Sequence, residues 1–413
     1  REDERWYWAA PILLGNDKRL LDWCKSASGW RSGGPDQEKG TRFDDHLDLL
    51  VSVAEDPSSL GPKPSDLADV LCDLALGGPG VCALRALGRL DPSLDVFDEK
   101  MLTGAAVAAN AFRTLFNTPE NIAMLRGGED SYWRLTLQYA IDGNLQAVLD
   151  EYVHVLRESL GLQAHEPLDQ VDGIALAIAK ALALRAAQVR VDEIRPVGDG
   201  YEIKSFNARG RFALRFADLQ GDDSNVMVRA DAVRDAFNSP FRPFVLASTS
   251  IGQEGLDFHT WCHAVWHWNL PSNPVDLEQR EGRVHRYKGH AVRKNIAECY
   301  GLRALPEGGG WSDPWAVLFA LAARDYDVDD SGLIPYWVFE EGSAKVERHV
   351  PLLPFSREVS KLKSLKEELA LYRLVFGQPR QEDLLAMLGN SEEQFSTDFG
   401  DWLVSLAPPE RSG

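Results

Sequence analysis

At 413 residues, with 44% hydrophobic and 26% charged residues, the chain has the mix of a globular protein with room for two to four domains. A net charge of −19 excludes a surface that is basic throughout, so any nucleic-acid contact must be local. No run approaches the ~18 uninterrupted apolar residues of a membrane span, and five cysteines without a C-x-x-C pair argue for reduced thiols in a cytoplasm.

The chain begins at Arg1, and "REDERWYWAAPILL" lacks the basic region and cleavage site of a signal peptide. A piece of something longer, or a trimmed chain, is expected. "SGGPDQEKG" (Ser32 to Gly40) reads as a flexible loop. Residues up to about 170 read mostly helical. "DLADVLCDLAL" breaks at Gly77 to Gly80, and "TGAAVAANAFRTLFN" closes at Asn117-Thr118-Pro119. "NLQAVLDEYVHVLRESLG" carries Leu145, Val148, Leu149, Tyr152 and Leu156 on one helical stripe and stops at Gly161. "GIALAIAKALALRAAQV" is broken by Lys180 and Arg185 and reads as a buried helix.

From about Gln188 the pattern changes. "QVRVDEI", "RFALRFADL" and "PFVLAST" read as short strands, with "RADAVRDAF" and "NPVDLEQREGRVHR" as helices between and after them. Alternating strand and helix patterns predict an α/β layer with parallel strands. "PFVLAST" is continuously apolar, as a strand covered on both faces would be. After about Gly301 the chain is loop-rich, then helical. "SKLKSLKEELALYRLVFG" spaces Leu362, Leu365, Leu369, Tyr372 and Phe376 by threes and fours, as a packing helix does, and ends at Gly377 and Pro379. No internal repeat is present. The expected divisions are a mostly helical region over 1–187, an α/β region over 188–305 and a helical extension over 306–413.

Two segments carry chemistry. The loop after "PFVLAST" begins at Ser248 and Thr249, includes Gly252 and Gly255, which let backbone amides approach an anion, and continues through Gln253, Glu254 and Asp257. About twenty residues later Asn273, Pro274 and Asp276 give a good helix start. A helix from there would place Gln279, Arg283 and Arg286 on one stripe, with Leu277 and Val284 facing a core and Gly282 leaving room for a ligand. Between Gln279 and Lys294 six basic residues face one acid, Glu281. Two arginines one turn apart can stabilise charge spreading over a transferring phosphoryl group. A basic surface helix explains the charge but not the glutamine, the glycine and the strand-end loop.

"STSIGQEGLDFH" resembles motif V of superfamily 2 helicases, and "QREGRVHR" resembles their motif VI, Q-x-x-G-R-x-x-R. "HRYKGH" is similar to the tail that follows in Swi/Snf-type translocases, and "HWNLPSNPVDLEQ" to the segment between the motifs, with Asn269 where that family often has Asp. The resemblance is to the Swi/Snf-like bacterial helicase-type ATPases, including those of anti-phage defence systems, and is sharp from Arg242 to about Tyr300. It implies an α/β, RecA-like parallel-sheet lobe without its own P-loop, flanked by mostly helical regions.

The resemblance also implies roles. Arg283 and Arg286 would reach a γ-phosphate as arginine fingers, and Gln279 and Asp257 would contact the nucleotide. Glu254 and Gly255 would shape the loop linking nucleotide to nucleic acid, and Ser248 and Thr249 would meet the DNA backbone. The sequence has no G-x-x-x-x-G-K-[ST], so ATP and Mg²⁺ would be held by a first RecA-like lobe, on the same polypeptide or on a partner such as another defence-system subunit. The chain alone is expected to be inactive. A non-hydrolysing nucleic-acid-binding or partner-docking scaffold is the alternative.

Three features read as decoys. "DEYVH" (Asp150 to His154) mimics a D-E-x-H box, but its helical stripe puts Asp150, Glu151 and His154 on a solvated face. His259, His263, His267 and Cys262 have zinc-like spacing on a helix, yet the resemblance makes "AVWHWNL" a strand and leaves them as core or loop residues. Trp261, Trp266 and Trp268 read as packing residues, with base stacking as a minority reading for one of them.

Overall fold

The computed structural model describes residues 3–15, 18–26, 42–125, 131–183, 187–197, 200–210, 232–247, 257–304, 313–326, 332–352 and 356–374. The expected loop at Ser32 to Gly40, the expected strand "RFALRFADL" and the motif V residues Ser248, Thr249, Glu254 and Gly255 lie outside them. By its internal contacts the chain divides into two units, 1–212 with 240–242, and 213–239 with 243–413.

The first unit is helical. It comprises α1 (Trp6–Leu14), α2 (Arg19–Ser26), α3 (Arg42–Glu55), α4 (Leu67–Gly77), α5 (Pro79–Gly88), α6 (Glu99–Phe116), α7 (Pro119–Leu125), α8 (Tyr132–Asp142), α9 (Leu145–Ser159) and α10 (Pro167–Leu182). The expected breaks hold for local reasons. Pro79 opens α5 where its missing N–H costs nothing, and α9 stops two residues before Gly161, which takes φ +66°. Helices α6 and α10 approach closely at Gly104, where a Cβ would stand 3.0 Å from Val171 and 3.4 Å from Ala175. Around that crossing Ala105, Ala108, Phe112, Ile174 and Ile178 are buried. Phe241 also belongs to this unit and meets Phe112 edge-on at 5.2 Å.

Helix α9 corrects one expectation. Asp150 pairs with Arg89, and His154 is buried along with Tyr152, Val153, Val155 and Leu156. The stretch is helical, as the stripe predicts, but of its three polar residues His154 is buried and Asp150 and Glu151 are only partly exposed. The neighbouring helices cover more of it than a single apolar stripe suggests.

The unit ends in an antiparallel hairpin, β1 (Ala187–Val197) and β2 (Gly200–Gly210), with Ala187 opposite Gly210 and Val197 opposite Gly200. "QVRVDEI" is thus a strand, but a hairpin strand rather than one of a parallel layer. Two residues of sequence lie between the strands.

The second unit holds a helical stretch over 232–237, then β3 (Ala264–Trp266), α11 (Pro274–Glu281), α12 (His290–Tyr300), α13 (Pro314–Asp325), β4 (Glu347–His349) and α14 (Glu358–Leu374). β3 and β4 pair in parallel, Val265 opposite Arg348. One face of this small sheet carries Ala264, Trp266, Glu347 and His349; the other carries Val265 and Arg348. The parallel arrangement expected of an α/β layer is present here, in two strands. Residues 243–247 are not a covered strand. They have no ladder among the described residues, and Phe244 and Val245 are 71% and 84% exposed.

Helix α14 packs as expected. Leu365 and Leu369 are buried against Leu270 and Leu277, with Leu362 at the rim. All five cysteines are free thiols. Among the described residues no single helix is long and apolar enough to cross a membrane.

Candidate functional site

Helix α11 starts as its sequence dictates. The Asn273 side chain accepts from the Asp276 N–H at 2.8 Å, Pro274 fills the first turn, and Asp276 sits at the positive end of the dipole. The helix then ends at Glu281, one turn sooner than the stripe of Gln279, Arg283 and Arg286 requires. Gly282 caps that end in right-handed geometry, φ −60° and ψ −13°. Its N–H donates to Glu278 O at 2.7 Å, and a Cβ there would lie 2.9 Å from that same oxygen. A side chain here would crowd the Glu278 carbonyl, so no ligand is needed to explain the glycine. Gln279 stays on α11, exposed, whereas Arg283 and Arg286 sit in the turn that follows.

That turn is bound to the end of the motif V segment. The Phe258 N–H donates to Arg283 O at 2.8 Å, and the His290 N–H donates to His259 O at 2.9 Å. The Arg286 guanidinium reaches Asp257, with Nε and Nη2 donating to one carboxylate oxygen at 3.0 and 2.9 Å. Asn238 Nδ2 donates to the Asp257 carbonyl at 2.7 Å, and Phe237 meets Phe258 edge-on. Asp257 and Arg286 thus meet through their side chains, whereas Arg283 joins the segment through its backbone carbonyl and its Nε is buried. Asp257 and Arg286 remain about half exposed, open to a ligand from outside.

The turn closes at Lys288, which takes φ 49°, an uncommon value for a residue with a Cβ. Its N–H donates to Tyr336 O at 2.7 Å, its ammonium lies 4.6 Å from the Phe319 ring centre, and its carbonyl accepts from Arg293 Nη1. His285 Nε2 is 2.9 Å from Trp337 O. Arg293 is buried, donating to Thr260 O between the Trp261 and Trp315 rings. Arg280 donates to Asn269 O. Much of the basic run is therefore engaged internally, and it is not the uniform solvated face its charge suggests.

Below the turn lies a network with a single sequence signal, the lone acid in the basic run. Arg348 forks onto both carboxylate oxygens of Glu281, with Nη2 to Oε2 at 2.5 Å. His267 Nε2 is 3.0 Å from Oε1 of the same carboxylate. The His267 side chain is fully buried, and its Nδ1 finds no partner. Burial alone would raise the Glu281 pKa, but the bonds from His267 and Arg348 outweigh it and hold the carboxyl down to about 2. Nearby, burial pushes His290 down to about 4, with Arg293, His263 and Lys294 adding to the effect.

The other histidine and tryptophan expectations divide. His263 and His267 flank a strand, and among the described residues no group of three His, Cys, Asp or Glu stands as a metal would need. Trp266 and Trp268 are not packing residues in the expected sense. They are 66% and 73% exposed, with Trp266 stacked on His349 at 4.3 Å.

Residues 210–288 match the model of the helicase conserved C-terminal domain. That domain is a RecA-like lobe, in keeping with the parallel pairing of β3 and β4. The match supports a helicase-family C-terminal lobe in this stretch, and with it a helicase-type function related to nucleic acid. Neither the curated proteins nor the solved structures gave a match.

Proposed function

We propose that this chain supplies the second RecA-like lobe of an ATP-dependent DNA translocase of the Swi/Snf-like bacterial type, acting in anti-phage defence. A first lobe, on the same polypeptide or a partner chain, binds ATP and Mg²⁺. When the lobes close, Arg283 and Arg286 stabilise charge developing on the γ-phosphate, and Gln279 and Asp257 orient the nucleotide. Glu254 and Gly255 couple that event to Ser248 and Thr249, which grip the DNA backbone.

One observation carries this reading: Arg286, in motif VI, rests on Asp257, at the end of motif V. A half-exposed pair of this kind is worth about 0–1 kcal/mol, whereas a charge-assisted bond to phosphate is worth about 1.5–3 kcal/mol. Asp257 therefore holds the guanidinium near its working place, and an arriving triphosphate can take it over.

The test is turnover of ATP by the chain joined with its first lobe, with and without DNA. Arg283→Ala and Arg286→Ala should each lower kcat by about 10³-fold or more while leaving thermal stability within about 1 kcal/mol for Arg286. The 413-residue chain alone should not turn over ATP. The alternative is a non-hydrolysing nucleic-acid-binding or partner-docking scaffold. It is favoured by one observation, the internal engagement of Arg280 and Arg293. A scaffold would keep its binding, with no turnover to lose, in the Arg283→Ala variant.

A further inference from the structure

We infer that Arg348 is a positioning residue for the arginine-bearing turn 282–286, acting through Glu281. This rests on the function proposed for that turn, but the geometry stands by itself. Glu281 is the last residue of α11 and directly precedes Gly282, so its placement sets where the turn begins. A planar guanidinium forked onto both carboxylate oxygens fixes the plane of that carboxylate as well as its distance. His267, fully buried at the end of β3, holds the same group from a second direction. Arg348 is itself fixed, because β4 pairs in parallel with β3 and Val265 stands opposite it.

The far end of the turn is held from the same stretch of chain. Tyr336 O receives the Lys288 N–H, and Trp337 O lies 2.9 Å from His285 Nε2. Both ends of the turn therefore rest on residues 336–348, all beyond the stretch that matches the helicase domain. Leu277, one turn before Glu281 on the same face of α11, packs against α14, so the helix cannot follow a displaced Glu281 without opening that apolar contact.

Hydrogen exchange on the whole chain reads this directly. Arg348→Met should speed amide exchange across 282–288 by roughly tenfold or more, while 290–300 and 358–374 stay protected. Glu281→Gln should loosen the same segment, and the double variant should add less than about twofold, because the two residues act as one unit. With the first lobe and ATP–Mg²⁺, Arg348→Met should lower kcat by about 100-fold with KM for ATP unchanged. Unchanged exchange at 282–288, or uniform loosening of the second unit, overturns the inference. If exchange changes as stated but Arg286→Ala leaves turnover intact, the positioning stands and the ATP-motor reading falls.

Discussion

Leu277→Ala measures how firmly the C-terminal helix is built into the lobe. Leu277 is fully buried, with Leu270, Leu365 and Leu369 around it and Leu362 and Val350 at the edge. Truncation removes about three methylene equivalents at ~0.8 kcal/mol each, or about 2.4 kcal/mol. The cavity adds to this, because α14 and α11 meet through few side chains and can only partly collapse. The total should be about 3–4 kcal/mol. Since the chain has two units, a single unfolding midpoint is a poor reporter; segment-resolved hydrogen exchange is better. Protection of 274–281 and 358–374 should fall together by that amount, while α6 and α10 in the first unit keep theirs. Val359, which is 61% exposed, provides the control: Val359→Ala should change nothing beyond about 0.5 kcal/mol. A loss below about 1 kcal/mol, or loosening of α14 without α11, would refute the packing argument.

Three further outcomes follow from the same geometry. The Glu281 carboxyl titrates at about 2 in the folded chain against an ordinary 4.5, so its contribution is complete above 4.5 and disappears as pH falls toward 2. At ~1.36 kcal/mol per pKa unit that contribution is of order 3 kcal/mol, and Glu281→Gln should flatten this part of the acid limb in a denaturant series. His290 stays neutral down to about 4, so stability is lost between its ordinary 6.5 and 4, where the unfolded chain takes up the proton first. Its ring protons in an NMR titration should move near 4, and a midpoint near 6.5 would contradict the burial described. Gly104→Val should destabilise the first unit by about 1–3 kcal/mol, because the new side chain meets Val171 and Ala175 across a closed helix crossing; calorimetry reads this as a lowered transition.

Helix starts and stops were legible because they are local. Asn273-Pro274, Pro79 and Gly161 act on their own turns, and each does in the structure what its chemistry requires. The site was half legible. Spacing brought Asp257 and Arg286 into one argument, and they do meet. The helical stripe through Arg283 failed because it counted residues past Glu281, where the helix ends. Burial was harder to foresee. His154 looked solvated because an amphipathic stripe shows only one partner, while α9 has neighbours on several sides. Arg348 carried no local sign at all. Its meaning depends on β4 lying beside β3, a pairing between segments about 80 residues apart that no window of sequence contains.

The distant pairing of β3 with β4 also orders events during synthesis. The helicase-matching stretch is fully translated at residue 288, but the partner strand ends about 60 residues later at His349. At ~5–20 residues per second a ribosome needs about 3–12 s to deliver it. During that interval Glu281 and His267 wait without the guanidinium that completes their cluster, in a nascent lobe whose motifs are written but not yet held.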